Sequence, residues 1–194
     1  WSNTDQDQFS ISVIKGLVMD ATRKANSGHP GGPMSAIDFA YILFKDYLRF
    51  DPKNPEWFNR DRFVLSGGHM SMLQYSLLCF IGWLKISDIK NFRQLNSRTP
   101  GHPEVEIPGV ECTTGPLGQG FAMGIGMALA ESYLRDTLSI RSRSAKGLVD
   151  HFTYILATDG DVQEPVTLGA ASLAGHLGLE RVIVFYDAND AQIS

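Results

Sequence analysis

Three histidines lie in loops that are rich in glycine and proline. His29 and His102 each lie between a glycine and a proline, and His69 lies between a glycine and a methionine. An imidazole beside glycine is accessible to a ligand, and its pKa near neutrality suits proton transfer. Each histidine alone is better explained as an ordinary surface or hydrogen-bonding residue. Three in matching contexts favour a shared site with acid–base chemistry.

A carboxylate and an amide follow two predicted strands in the last third of the chain. Asp159 and Gly160 come after a strand predicted over 152–157, and Asn189 comes after one predicted over 181–186. Ligands of parallel sheets bind beyond the carboxyl ends of strands, and Mg²⁺ prefers oxygen donors shared with phosphate. Gly160 leaves room for a diphosphate, and the helix that follows favours anions. The alternative is a plain turn in which Asp159 caps that helix.

Two other motif assignments fail on spacing. Residues 159–164 lack the glycine that a calcium loop requires at its sixth position. Gly118, Gly120 and Gly124 miss the GxGxxG spacing by one residue and follow no predicted strand, so they do not predict a dinucleotide site.

The elements that would position these residues alternate between helix and strand. Apolar periodicity predicts helices over about 9–25, 35–47, 71–82, 120–138 and 164–177, and buried strands over 62–66, 152–157 and 181–186. Ser87 and Asp88 are predicted to cap a short helix that ends near 94, and 158–161 is predicted to be a turn. Strand, helix and strand within 152–186 form a βαβ unit, which requires parallel strands. We therefore expect an α/β fold whose parallel sheet carries helices on both faces and is incomplete at the C-terminus.

Some of these elements carry more specific predictions. The buried face of the first helix is predicted to contain Phe9, Val13, Leu17 and Ala21, with Ile14 and Val18 beside them. The helix over 71–82 is apolar nearly all round and should be central. The irregular stretch 97–114 has the length of a functional loop.

Small residues and the remaining histidines give three further expectations. Gly120, Gly124 and Ala128 form a stripe that lets another backbone approach, either within the domain or from a partner. His151, at a strand start, is predicted to lie on the surface, and His176, inside a helix, is predicted to be structural.

Composition restricts the classes of protein. A chain of 194 residues that is 43% hydrophobic corresponds to about one domain with a real core. Its 11 Phe, 6 Tyr and 3 Trp exclude disorder, and a net charge of −4 argues against nucleic-acid binding. No apolar run approaches the roughly 18 residues of a membrane helix.

Cys79 and Cys112 form no CxxC pair, so a thiolate zinc site is not expected. Two ordinary reduced thiols favour the cytoplasm, although a disulfide between them stays open.

Five segments taken together resemble one enzyme family. In chain order they are SGHPG at 27–31, SGGH at 66–69, TPGHPE at 99–104, TTGPLGQG at 113–120, and Asp159-Gly160 followed by Asn189. The last pair is general to thiamine diphosphate enzymes. The histidine motifs and the GPLG segment make the chain similar to the N-terminal domain of the transketolase family. Residues 1–194 would form part of that diphosphate-binding domain, with no second domain present.

The resemblance implies an activity, cofactors and roles for residues. Such enzymes move a two-carbon ketol unit from a ketose phosphate such as xylulose 5-phosphate to an aldose phosphate such as ribose 5-phosphate, in the pentose phosphate pathway. Mg²⁺, or Ca²⁺ or Mn²⁺ in its place, would be bound by Asp159, Asn189 and the backbone carbonyl of Ala191. His29 and His102 would be catalytic and face the sugar. The residues that would contact thiamine diphosphate are His69, Gly115, Pro116, Leu117, Gly160 and Asn189.

The chain departs from the family pattern at four positions. Thr158 stands where glycine is usual, Gly67 replaces a common asparagine, Pro165 replaces a glycine, and Gly169 replaces a glutamate of a carboxylate network between subunits. None of these changes removes a predicted ligand or a loop histidine. They concern communication between two active sites.

The resemblance also implies partners. The carboxylate that activates the cofactor would come from another domain of a partner subunit, so the complete protein would be a homodimer and this chain alone would have no turnover. The alternatives are a related thiamine enzyme such as dihydroxyacetone synthase, or a non-catalytic transketolase-like subunit. 1-Deoxyxylulose-5-phosphate synthase should diverge around the loop histidines.

Overall fold

The computed structural model describes residues 3–141 and 147–188. The helices are α1 (Asn3–Ala25), α2 (Gly31–Ile42), α3 (Ser71–Phe80), α4 (Ile86–Lys90), α5 (Gln119–Arg141), α6 (Asp159–Gln163) and α7 (Pro165–Leu177). The strands are β1 (Arg62–Leu65), β2 (Thr153–Thr158) and β3 (Val182–Asp187). A π-helical turn (Leu43–Tyr47) extends α2, and a 3-10 turn (Gly68–Met70) precedes α3.

The three strands form a parallel sheet in the order β1-β2-β3. Leu65 pairs with Leu156, and Thr158 pairs with Asp187, so the carboxyl ends of the strands meet at one edge. β2, α7 and β3 form the βαβ unit that the sequence predicts. The predicted α/β class with a parallel sheet is confirmed.

One face of the sheet carries α1, α2 and α3. Phe63 and Leu65 of β1 and Tyr154 and Leu156 of β2 lie on this face, because successive side chains of a strand point to opposite sides. They pack against a continuous apolar cluster drawn from the three helices. α3 is buried along most of its length, as its nearly uniform apolar sequence predicts.

The opposite face carries α5 and α7. Val64, Ile155 and Ala157 pack there against Phe121 and Ile125 of α5. Helices therefore cover both faces of the sheet, as expected.

The small-residue stripe of α5 faces this sheet. A Cβ added at Gly124 would lie 2.6 Å from Cδ1 of Ile155, and one at Gly120 would lie 2.7 Å from Cα of Ser66. Ala128 is buried as well. The stripe therefore brings α5 close to the sheet within the domain, and the alternative of a partner-facing stripe is not supported.

The predicted buried face of α1 is partly wrong. Phe9 is 58% exposed and Val13 is 44% exposed, whereas Ile11, Ile14 and Val18 are buried. Positions four apart advance by about 40° round a helix, so a strict repeat of four drifts off the core face. The true face combines spacings of three and four.

Three predicted local boundaries also shift. α2 begins at Gly31 rather than near 35, because Pro33 lies in the first turn, where a missing N–H is tolerated. Residues 158–161 are not a free turn, because α6 begins at Asp159. α4 ends at Lys90, and Asp88 accepts a 2.8 Å hydrogen bond from the backbone N–H of Lys85, so the helix begins one residue earlier than the predicted Ser87 cap.

The predictions for two histidines are wrong. His151 is buried, and its Nδ1 lies 3.3 Å from Oδ1 of Asn59 at the start of β2. His176 lies on the outer face of α7 and is exposed. His151 is buried because the loop that carries Asn59 covers the start of β2. His176 is exposed because α7 packs on the sheet with its opposite face.

The structure adds two facts on the class of protein. Cys79 and Cys112 are free thiols. Among the helices of residues 3–141 and 147–188, none has the length and apolarity needed to cross a membrane.

Burial makes His151 a source of acid sensitivity. Burial, together with the nearby Arg62, lowers the pKa of His151 to about 4, although Asp61 opposes the shift. In the unfolded chain the imidazole titrates near pH 6.5. Its contribution to stability is therefore complete above about pH 6.5 and is lost as the pH falls towards 4.

We expect the His151→Gln variant to lose part of the wild-type acid sensitivity. Between pH 6.5 and 4 the free energy of unfolding of the wild type should fall by about 1–2 kcal/mol more than that of the variant, allowing for solvent screening. Urea denaturation at several pH values measures both slopes, with His176→Gln as the exposed matched control. Equal slopes for wild type and His151→Gln would contradict the assignment.

Candidate functional site

The candidate site lies at the carboxyl edge of the sheet. β1 ends at Leu65 and leads directly into the turn that carries His69. β2 leads into Asp159, and β3 ends at Asp187, which is paired with Thr158. Because all three strands are parallel, the segments that follow them meet at this edge.

The structure brings the three loop histidines together. The ring centroids of His29 and His69 lie 5.2 Å apart in a T-shaped arrangement. His102 packs on Gly115, where an added Cβ would lie 3.4 Å from Cγ of the imidazole. Residues 29, 69 and 102 are far apart in sequence, so their convergence is a property of the fold.

Burial lowers the pKa of all three imidazoles. At His29 and His102 the positive charge of Arg93 lowers the pKa further. At His69 the neighbouring His29 and His102 add to the effect of burial, and Asp161 and Asp187 oppose it. The three rings are therefore neutral near pH 7, and each holds one N–H donor and one acceptor nitrogen.

His29, a member of this cluster, has a buried polar atom without a partner in the described structure. Its Nδ1 is buried and has no hydrogen-bond partner among the described residues. A buried polar atom without a partner is costly and marks a place where a ligand completes the hydrogen bonding.

The irregular loop that carries His102 is fixed by α3. The Tyr75 hydroxyl donates to the carbonyl oxygens of Pro100 and His102, at 2.9 and 3.0 Å. The Ser71 hydroxyl donates to the carbonyl oxygen of Gly101 at 2.9 Å. Residues 91–118, all described, form no helix or strand, yet this loop is held by a buried helix.

Two glycines allow segments of the site to touch. A Cβ at Gly68 would lie 2.8 Å from the backbone nitrogen of Gly115. A Cβ at Gly160 would lie 2.6 Å from Cδ1 of Leu117, and Pro116 stands beside Leu117 on the same turn. The predicted cofactor contacts at 69, 115–117 and 160 therefore come from adjoining segments. The glycines thus let these segments close on one another at the edge where the cofactor contacts are predicted.

The predicted metal site is described only in part. Asp159 is the first residue of α6, and its carboxylate accepts a hydrogen bond from the Tyr186 hydroxyl of β3. Asn189 and Ala191 lie outside the described residues, so their predicted role as ligands is not tested. Among residues 3–141 and 147–188, no three His, Cys, Asp or Glu side chains are grouped to hold a metal. A carboxylate at this edge nevertheless has the oxygen chemistry that Mg²⁺ requires.

Sequence reasoning missed Asp161, a fully buried carboxylate next to the site. It accepts hydrogen bonds from the Ser66 hydroxyl at 2.7 Å, from the backbone N–H of Gly118 at 2.7 Å, and from the backbone N–H and hydroxyl of Thr158, both at 2.9 Å. The available signal was the spacing Thr158-x-x-Asp161, which is that of a capping box.

Two departures from the family pattern fit each other. A Cβ at Gly67 would lie 2.7 Å from Cγ2 of Thr158 and 3.4 Å from Cε1 of His69. Thr158 therefore fills the space that a side chain at 67 would occupy. The missing side chain at Gly67 therefore leaves room for the side chain of Thr158.

We expect the Gly67→Asn variant to be destabilised, and the cost of this change to be smaller in a chain that already carries Thr158→Gly. The new side chain must displace the Thr158 methyl group, which should cost about 1–3 kcal/mol of unfolding free energy. In the double variant we expect a coupling energy of about 1 kcal/mol in the favourable direction. Urea denaturation of the two single variants and the double variant measures it.

The control for this pair is Gly169→Asn. Nothing lies within 4 Å of a Cβ at Gly169. That variant should change the unfolding free energy by about 0.5 kcal/mol or less. If the losses of unfolding free energy in the Gly67 and Thr158 single variants add up to the loss in the double variant, the two positions are independent.

Known proteins of the family that the motifs resemble match this chain over nearly its whole length. A family model described as "Transketolase, thiamine diphosphate binding domain" matches residues 6–194. A transketolase of Halalkalibacterium halodurans is 52% identical over 189 residues, and one of Bacillus subtilis is 53% identical over 189 residues. Each comparison covers 96% of this chain and 28% of the relative.

Solved structures agree. The transketolase from Leishmania mexicana superposes with a TM-score of 0.91 at 45% identity, and that from Campylobacter jejuni with a TM-score of 0.90 at 45% identity. Both comparisons cover 96% of this chain and 28% of the solved one. The chain thus spans less than a third of the length of the transketolases it matches. Its fold, its motifs and these likenesses agree that the chain belongs to the transketolase family, as a thiamine diphosphate-binding domain.

Proposed function

We propose that this chain is the diphosphate-binding part of a transketolase. The complete protein would transfer a two-carbon ketol unit from a ketose phosphate such as xylulose 5-phosphate to an aldose phosphate such as ribose 5-phosphate, in the cytoplasmic pentose phosphate pathway. The observation that carries the proposal is the convergence of His29, His69 and His102 beside Gly115 at the carboxyl edge of the sheet. The groups that could transfer protons therefore lie next to the residues that would contact the cofactor.

Thiamine diphosphate, when bound, supplies a nucleophilic carbon and an electron sink for cleaving the bond next to a carbonyl. Gly160 and His69 would contact its diphosphate, and Gly115 and Leu117 would line its rings. The close contact of Gly160 with Leu117 and the partly buried ring of His69 support placing these residues at one site.

The divalent cation would be held by Asp159, Asn189 and the backbone carbonyl of Ala191. Mg²⁺ suits such a site because it takes few protein ligands and shares its shell with phosphate oxygens and water. Ca²⁺ or Mn²⁺ would also accept these oxygen donors. The position of Asp159 directly after β2 supports the assignment.

His29 and His102 would handle the substrate's protons. Both rings are neutral near pH 7, because burial and Arg93 lower their pKa values. A neutral imidazole can donate its N–H to a sugar oxygen and take a proton at its other nitrogen. At His29 the unpartnered Nδ1 is available for one of these contacts. A well-placed acid–base group contributes about 10²–10⁴ in rate.

The complete protein would be a homodimer, and the isolated chain would have no turnover. α7 and β3 expose Leu168, Leu173, Ile183 and Val184. An apolar surface of this kind supports burial against the rest of the complete protein or its partner.

We expect the complete protein to transfer a ketol unit from xylulose 5-phosphate to ribose 5-phosphate only with thiamine diphosphate and Mg²⁺ present. Asp159→Ala should abolish the Mg²⁺ dependence of cofactor binding, because it removes a charged ligand. A coupled assay of product formation and a titration of cofactor measure the two effects. Asp38→Ala, which changes an exposed carboxylate on α2, is the control.

Other outcomes of this assay identify the alternatives. Transfer from a different donor would indicate dihydroxyacetone synthase. Cofactor binding without any transfer would indicate a non-catalytic subunit. Unchanged Mg²⁺ dependence in Asp159→Ala would contradict the metal assignment.

His29→Ala should depress turnover far more than cofactor affinity. The ring faces the sugar rather than the diphosphate, so kcat should fall by about 10²-fold or more. The dissociation constant of thiamine diphosphate should stay within about threefold, because the metal and diphosphate contacts are intact. Steady-state kinetics and cofactor titration separate the two, and the reverse pattern would remove the substrate role of His29.

A further inference from the structure

Arg93 joins the two loops that carry His29 and His102. Its Nη1 donates a 2.7 Å hydrogen bond to Oγ of Ser27, two residues before His29. Its backbone N–H donates a 2.9 Å hydrogen bond to the carbonyl oxygen of Thr99, three residues before His102. No sequence motif singles out this arginine.

The guanidinium lies flat against the second loop. A Cβ at Gly101 would lie 3.2 Å from Nε and 3.3 Å from Cζ of Arg93. Cζ also lies 5.6 Å from the ring centroid of Phe92. The planar group therefore contacts both an aromatic ring and a glycine, and the flexible ammonium of lysine does not reproduce these contacts.

The backbone at Arg93 is itself in an uncommon state. Its φ is 59°, in the left-handed region that costs a non-glycine residue about 1 kcal/mol. The hydrogen bond to Thr99 holds this conformation. Nε is buried and has no hydrogen-bond partner among the described residues.

We infer that Arg93 is a positioning residue that holds the His29 and His102 loops at their working separation. The inference rests on the proposed function for its meaning, because those two histidines are the ones proposed to face the sugar. Arg93 acts through them and touches neither ring by a hydrogen bond in the described structure.

The charge of Arg93 gives the inference an independent readout. His29 is faced by Arg93 and by the ring of His69, and His102 is faced by Arg93, His29 and His69. Arg93 is the cation common to both sites, and it lowers both pKa values in addition to burial. Removing the charge should therefore raise the pKa of His29 and His102 together.

The test uses the complete protein with Arg93→Met, Arg93→Lys and a control, Arg98→Met. Arg98 lies five positions further along and makes a 3.5 Å ion pair with Asp88 on the surface. Diethyl pyrocarbonate labelling across pH, read for each histidine peptide by mass spectrometry, reports the two pKa values without any need for activity. Steady-state kinetics, thermal melting and cofactor titration accompany it.

We expect the three variants to separate geometry from charge. Arg93→Met should lower kcat about tenfold or more and move the labelling midpoints of His29 and His102 upwards. Arg93→Lys should lower kcat by about threefold or more while it leaves the midpoints in place, because the charge stays and the planar fork is lost. Arg98→Met should match the wild type in every measurement.

Two results would overturn the inference. One is Arg93→Met with wild-type kcat and unshifted midpoints. The other is a loss of kcat explained wholly by weaker cofactor binding or a lower melting temperature. A wild-type protein without ketol transfer would count against the proposed function, while shifted midpoints in that protein would still support the contact of Arg93 with both loops.

Discussion

The carboxylate of Asp161 is the interaction on which the site depends most. It is fully buried, and the groups it binds come from the end of β1, the turn before α5 and the end of β2. These are the three segments that carry His69, the GPLG turn and Asp159. A buried carboxylate is tolerated only when it is fully hydrogen-bonded, so its four donors must stay in place together. One charge thereby fixes the relative position of segments that are far apart in the sequence.

The sequence was sufficient for the class of fold, because strands with unbroken apolar runs and a βαβ unit leave few arrangements. Prediction from the sequence failed where tertiary packing determines which side chains are buried. The buried face of α1 is set by the surface it meets, which selects Ile11 and excludes Phe9. The same limit explains His151 and His176, since burial depends on which neighbours cover a position rather than on the local pattern.

The sequence predicted those parts of the candidate site that belong to short motifs. The loop histidines and the glycines of the predicted cofactor contacts were found because each belongs to a short recognisable segment. Arg93 was not, because its role comes from a left-handed backbone and from contacts with Ser27 and Gly101 that no spacing encodes. The mutual fit of Gly67 and Thr158 likewise emerges only when the ends of β1 and β2 are side by side.

The edge of the sheet carries two kinds of group, and both suit the proposed chemistry. Asp159 and Asp187 lie after β2 and at the end of β3, and His69, which follows β1, packs on His29 and lies within electrostatic reach of Asp187. Burial lowers the pKa of all three imidazoles, and the cation of Arg93 adds to this effect at His29 and His102. A metal would find an oxygen donor in Asp159, a diphosphate would lie between this carboxylate and His69, and a sugar would find in His29 and His102 neutral groups that both give and take protons. Parallel strands bring these groups together, because each strand delivers a different loop to the same edge.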